Sequence, residues 1–212
     1  MRVIYEDEHI IVCHKEAGEM SEGETDRCLP CIISSYLKEQ RGTDAVVYPV
    51  HRLDKETEGL IVYALNKNAA AALSEDIKEG HFAKEYLALC HGVPDMPGGA
   101  LSDLLYYDRK RGKSFVVTRE RAGVKKALLE YEVINRAGDL SQLKIKLHTG
   151  RTHQIRVQLA SRGHCLAGDR RYGAPKDDGY KNIALLSHRL SFSHPKTKEV
   201  LEFTAESDNV KI

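Results

Sequence analysis

The chain has 212 residues, 30% of them charged, yet a formal net charge of only +1, which excludes a protein that coats nucleic acid by bulk charge. No run of ~18 apolar residues exists and the first residues, Met1 to Asp7, lack a signal-peptide apolar region, so neither a membrane span nor a leader is expected. Five cysteines, an odd number in a chain of ordinary length, read as reduced thiols in a cytoplasmic protein, and the length favours one domain over residues 1–212.

In chain order, Arg2–Tyr5 and Ile10–His14 flank Asp7-Glu8 and predict a β-hairpin. Lys15 to Asp26 is rich in Gly and Glu and reads as loop. Cys28-Leu29-Pro30-Cys31 opens a helix over Leu29–Gln40, closed by Gly42. With no second pair of cysteines to complete a zinc tetrad, Cys28 and Cys31 read as small residues at a helix start. Next comes His51-Arg52-Leu53-Asp54-Lys55-Glu56-Thr57-Glu58-Gly59, running straight into the apolar strand Leu60–Ala64. One carboxylate, Asp54, lies between Arg52 and Lys55 just before the chain enters the core. Residue types alone fit a functional site or a solvated charged loop equally.

Asn66 caps a helix that runs to Glu79, and Gly80 ends it. Alternation of Tyr86, Ala88 and Cys90 within 83–92 predicts a strand. Pro94 to Gly99 is turn-rich. Runs 113–119 and 126–135 are strand-like around a loop at Arg119–Gly123, and Leu140–His148 alternates again. A strand then ends at Thr149-Gly150 and a helix with Ile155 and Leu159 on its apolar face follows, closed by Gly163. Arg151 would then stand at a helix start, where the dipole opposes a cation by ~0.3–1 kcal/mol, so a carboxylate partner is expected. Ile183–Ser193 and Val200–Thr204 form a closing hairpin. Cations gather at 108–126 (Arg109, Lys110, Arg111, Lys113, Arg119, Arg121, Lys125, Lys126) and at 151–171, so one basic side could hold a phosphate backbone.

Three stretches resemble the motifs of the RluA-type RNA pseudouridine synthase family. His51–Leu60 matches H-R-L-D-x-x-T-S-G-L, with Glu58 at the family's serine. Lys84–Gly92 matches K-x-Y-x-A-x-x-x-G, and Thr149–Arg156 matches T-G-R-T-H-Q-I/L-R. Two flanking segments also follow the family, with Glu16 in place of the proline of Lys-Pro-x-Gly and Cys165 in place of a proline after His164. The resemblance runs from about residue 3 to 205.

It implies an α+β fold: a bent, largely antiparallel mixed sheet with a central cleft and flanking helices. It implies Asp54 as the catalytic residue, Arg151 as its salt-bridge partner, and Tyr86 against the target base. Arg52 would fill the place of the base that leaves the stack. Ile155 and Leu166 would supply apolar wall, and His153 and Gln154 would meet phosphate or base. The reaction keeps every atom within its substrate, so no cofactor or metal is expected. The partner would be ribosomal or transfer RNA, with no obligate protein partner. With no S4-type domain in the chain, target choice would fall to loops 94–126.

Three other readings fit the residues less well. A metal-dependent hydrolase on His148, His153 and His164 lacks i,i+4 ligand spacing. A glycosidase on Asp54 with Glu56 or Glu58 needs two facing carboxylates, which neighbours on one loop seldom supply. A silent RNA-binding module has no use for the Asp54, Tyr86 and Arg151 set.

Overall fold

The acidic turn after the first strand shows how local chemistry sets this fold. In the computed structural model, which describes residues 1–23, 25, 27–42 and 44–212, Asp7 Oδ1 accepts the amides of His9 and Ile10 at 2.6 and 2.9 Å. That closes the hairpin of β1 (Arg2–Glu6) and β2 (Ile10–Lys15). Glu24 and Asp26, at the end of the expected 15–26 loop, lie outside the described residues.

The chain divides into two compact units, Met1–Lys84 with Ser187–Glu206 and Glu85–Leu186 with Ser207–Ile212. In the first, β2 pairs antiparallel with β4 (Glu58–Ala64), and β4 also neighbours β10 (Leu185–Ser193) and the short β3 (Tyr48–Pro49). β11 (Val200–Thr204) hairpins onto β10. Ile10 to Cys13 and Leu60 to Ala64 are without exposure on either face, as expected of central strands rich in branched aliphatics. Each such aliphatic side chain contributes about 1.5–3 kcal/mol by burial. Helix α1 (Leu29–Arg41) buries Leu29, Ile33 and Leu37 at helical spacing and ends at the left-handed Gly42. Helix α2 (Lys67–Glu79) is capped as expected, Asn66 accepting the Ala69 amide at 2.9 Å, and packs on β3 and β4.

In the second unit β5 (Ala83–His91), β9 (Leu140–Leu147), β8 (Val124–Ala137), β6 (Gly98–Asp108) and β7 (Lys113–Val117) follow one another in an antiparallel array. Strand β6 corrects the expectation of a turn through Gly99. Its polar Asp103 accepts from Gln158 and Arg162, which breaks the apolar alternation. Its first residue must be glycine, because a Cβ at Gly98 would come within 2.9 Å of the Tyr131 carbonyl. Helix α3 (Gln154–Ala160) starts three residues after Arg151 and follows an N-cap His153 with φ of 55°, so Arg151 is on the preceding turn and not at the helix start. Leu105, Ala127, Val157 and Tyr172 form the core beneath α3. The α+β class is as expected.

Candidate active site

The Asp54 loop leaves β3 and returns into β4, and its backbone is tied down on both flanks. On the near side Ser21 Oγ donates to the Leu53 carbonyl at 2.7 Å and accepts the Leu53 amide at 3.2 Å. On the far side the Thr57 amide closes a turn on the Asp54 carbonyl at 3.0 Å. Asp54 is half-buried, between buried Leu53 and exposed Lys55.

Beneath this loop lies a charge that sequence reading missed. Lys15 has no exposure, and β2–β4 register sets it opposite Gly59, where the loop re-enters the sheet. Its ammonium donates to the carbonyls of Thr57, Lys55 and Glu16 at 2.6, 3.0 and 3.1 Å, using all three donors. Burial pulls it down to about 8, against the opposing pull of the Glu19, Asp54, Glu56 and Glu16 carboxylates. The only signal in the sequence was its place in the family's Lys-Pro-x-Gly segment. Where that segment has proline, the amide of Glu16 is present and donates to Glu19 Oε2 at 2.9 Å, while the Glu19 amide returns to the Glu16 carbonyl at 3.2 Å. Hydrogen bonds thus stiffen a turn that a ring would otherwise fix. The Gly18 amide docks this turn on Lys55 O at 2.7 Å.

Arg52 is exposed and pairs with Glu22, an arrangement that exposed ion pairs hold by only about 0–1 kcal/mol. His51 accepts the Val62 amide on Nε2 at 3.1 Å and packs against Phe82, which stacks on Phe192. Burial pushes its imidazole down to about 3, with Lys84 pushing the same way, so it stays neutral. It is a structural member of the motif.

In the second unit, Tyr86 is 5% exposed on β5, opposite Ile145 of β9. Leu166 is fully buried and bridges to Cys90 on the same strand. Arg151 and Gln154 come together: Gln154 Oε1 accepts the Arg151 amide at 3.0 Å and the Thr149 hydroxyl at 2.8 Å, and its Nε2 donates to Leu128 O at 3.1 Å. Gln154 is 3% exposed, and its amide shapes the turn that carries Arg151. Arg151 Nε donates to Lys126 O at 2.9 Å. His153 meets Tyr172 OH at 3.0 Å and lies edge-on to Tyr107, while Ile155 is buried in α3. The three histidines of the hydrolase reading have separate partners: Glu130 for His148, Tyr172 for His153 and the His91 carbonyl for His164.

Below this turn Arg156 and Asp169 form a bidentate pair at 2.7 and 3.0 Å with 1% and no exposure, which sequence reading also missed. Arg156 also lies over the Tyr172 ring. Both sit within the stretches that resemble the family, but nothing in their spacing showed burial.

The model of the RNA pseudouridylate synthase family matches residues 9–161, a span that includes Asp54, Tyr86 and Arg151. The chain belongs to the RluA-type RNA pseudouridylate synthase family. It is therefore an isomerase that acts on RNA. It is 33% identical over 208 residues to an uncharacterized RNA pseudouridine synthase, YlyB, of Bacillus subtilis (strain 168), covering 96% of this chain and 68% of that one. The ribosomal large subunit pseudouridine synthase D of Zymomonas mobilis is 31% identical, covering 97% and 69%. In fold, human RNA pseudouridylate synthase domain containing 4 superposes with a TM-score of 0.80 at 22% identity, over 97% of this chain and 88% of that one. Human RNA pseudouridylate synthase domain containing 1 gives 0.77 at 25%, over 97% and 83%. Among the described residues no helix is long and apolar enough to cross a membrane.

Proposed function

We propose that this synthase converts specific uridines of ribosomal or transfer RNA to pseudouridine with Asp54 as the catalytic carboxylate. The observation that carries this reading is the held loop: the motif aspartate sits half-buried between two backbone clamps, with a buried ammonium beneath it. Two relatives named for the large ribosomal subunit favour ribosomal RNA as the substrate.

The reaction breaks N1–C1′, turns the uracil and forms C5–C1′, so C5 gives up a proton and N1 gains one. The C5 proton passes to water and N1 takes one from it, so the net composition is unchanged, and the proposal includes no cofactor, metal or obligate protein partner. The target base must first leave its stack, at a cost of a few kcal/mol. Arg52 would fill the vacancy; its exposure and an ion pair with Glu22 that is cheap to break support this. Tyr86 would grip the base face, for ~1–3 kcal/mol of stacking, with Ile155 and Leu166 as apolar wall against water. Arg151 would pair with Asp54 to fix its carboxylate, Gln154 would hold Arg151, and His153 would meet the RNA backbone. Attack at C1′, attack at C6 and removal of the C2′ proton all use an ionised Asp54, so all three give the same mutant phenotype.

The turn between β6 and β7 presents Arg109, Lys110 and Arg111, β7 opens on Lys113, and Arg121 lies over the Tyr106 ring at 4.6 Å. We assign target choice to this cationic, aromatic stretch within loops 94–126. One catalytic domain over 1–212 and a cytoplasmic location complete the reading; an odd number of cysteines, read as reduced thiols, supports the latter. The test is tritium release from RNA labelled at uridine C5: the wild type frees tritium to water and Asp54→Ala does not. Release by a folded Asp54→Ala protein defeats the assignment.

A further inference from the structure

The pinned peptide ahead of Asp54 depends on two side chains that the family motifs leave out. We propose that Ser21 and Tyr63 are positioning residues for Asp54, linking the loop to the sheet through one hydroxyl–carbonyl relay; this rests on the catalytic reading of Asp54.

The relay starts in β4. Tyr63 has no exposure and is fixed by antiparallel pairing with Ile11 of β2 and Pro49 of β3. Its hydroxyl donates to the Ser21 carbonyl at 2.7 Å. Burial raises the phenol far above its ordinary value, so it remains a neutral donor. Ser21, itself 3% exposed, then binds both the amide and the carbonyl of Leu53 through one Oγ. A hydroxyl that donates and accepts to the same residue restricts both of that residue's backbone dihedrals. The Leu53 side chain is buried at 4% exposure, so the peptide entering Asp54 has no slack.

On the exit side the Thr57 amide holds the Asp54 carbonyl, and Lys15 holds Thr57 and Lys55. The backbone on either side of Asp54 is thus held by named hydrogen bonds. Displacement of a reacting group by about 1 Å costs about a hundredfold in rate, which is the scale a loosened loop would reach. The relay runs through Tyr63, Ser21 and Leu53, none of which is assigned a contact with RNA, so its loss should leave RNA binding intact.

The experiment uses the full chain and total RNA from cells lacking the gene, labelled at uridine C5. Single-turnover tritium release, RNA binding and folded fraction are measured for Tyr63→Phe, Ser21→Ala, Ser21→Thr and Asp54→Asn. Tyr63→Phe deletes one oxygen and opens no cavity, so it remains informative where Ser21→Ala fails to fold. The proposal expects the single-turnover rate per folded molecule to drop by about ten- to a hundredfold in Tyr63→Phe and Ser21→Ala, with RNA affinity within about twofold. Ser21→Thr, which keeps the hydroxyl, restores most of the rate. A double variant carrying Tyr63→Phe and Ser21→Ala, measured in the same way, loses no more than Ser21→Ala alone, because one relay is cut once. Wild-type rates per folded molecule in both variants, alongside an inactive Asp54→Asn, overturn the positioning role and spare the catalytic one. An active Asp54→Asn overturns both.

Discussion

Replacing Lys15 by methionine keeps the stem and deletes the charge beneath the Asp54 loop. Two of the three carbonyls it serves have other donors, Gly18 N for Lys55 O and Glu19 N for Glu16 O, so Thr57 O bears the main loss. An unsatisfied buried carbonyl costs about 1–3 kcal/mol. Against this, the side chain has no exposure and its ammonium falls from 10.5 to about 8 on folding. At about 1.4 kcal/mol per unit, burying that charge costs roughly 3 kcal/mol at neutral pH. The two terms nearly cancel, so Lys15→Met should be close to neutral in stability at about pH 7. The sign then follows from proton counts. The native state releases this proton first, so between about pH 8 and 10.5 the unfolded chain binds more protons and the Lys15 contribution to stability rises with pH. Urea unfolding of both proteins across that range should therefore show the wild type pulling ahead by roughly 3 kcal/mol. Cys13 and Tyr63, also buried, are common to both proteins and drop out of the difference. Parallel stability–pH curves would refute the reasoning.

Three further outcomes follow from the same geometry. His51 should show no titration by NMR between about pH 5 and 8; because folding lowers its pKa to about 3, it contributes a loss of stability as pH falls below its unfolded value near 6.5, and a midpoint near 6 contradicts this. Asp169→Asn leaves the Arg156 guanidinium buried without its counter-charge and should cost about 3–5 kcal/mol in urea unfolding, whereas a loss under about 1 would show that the pair is not buried in solution. Arg151→Ala removes the bond to Lys126 O and the proposed partner of Asp54; tritium release should fall at least about tenfold, and an unchanged rate removes Arg151 from the site.

The elements legible in the sequence were those whose signals are local. The Asp7 turn, the Asn66 cap and the Gly42 and Gly80 stops each state their geometry within a few residues. β6 was not legible, because Asp103 faces Gln158 and Arg162 from a distant part of the chain, and only that tertiary pairing makes a carboxylate acceptable there. The start of α3 was misplaced because His153 takes a left-handed conformation that its residue type does not announce. At the site, the resemblance to the family picked out the motif residues, but the supports of Asp54 were invisible. Lys15 and Ser21 lie far from Asp54 in sequence, and a lysine or serine in a Gly- and Glu-rich stretch reads as solvated loop. The β2–β4 register sets Lys15 beneath the motif, and the hydrogen bonds of Ser21 with Tyr63 and Leu53 hold it there as a buried donor.

The central claim is that Asp54 isomerises uridine in RNA. It is tested most directly by mapping pseudouridine at single-nucleotide resolution in total RNA from cells without the gene, complemented with the wild type or Asp54→Asn. The account predicts that at least one ribosomal or transfer RNA position loses pseudouridine with the gene, regains it with the wild type and stays uridine with Asp54→Asn. An unchanged map on deletion, or restoration by Asp54→Asn, contradicts it.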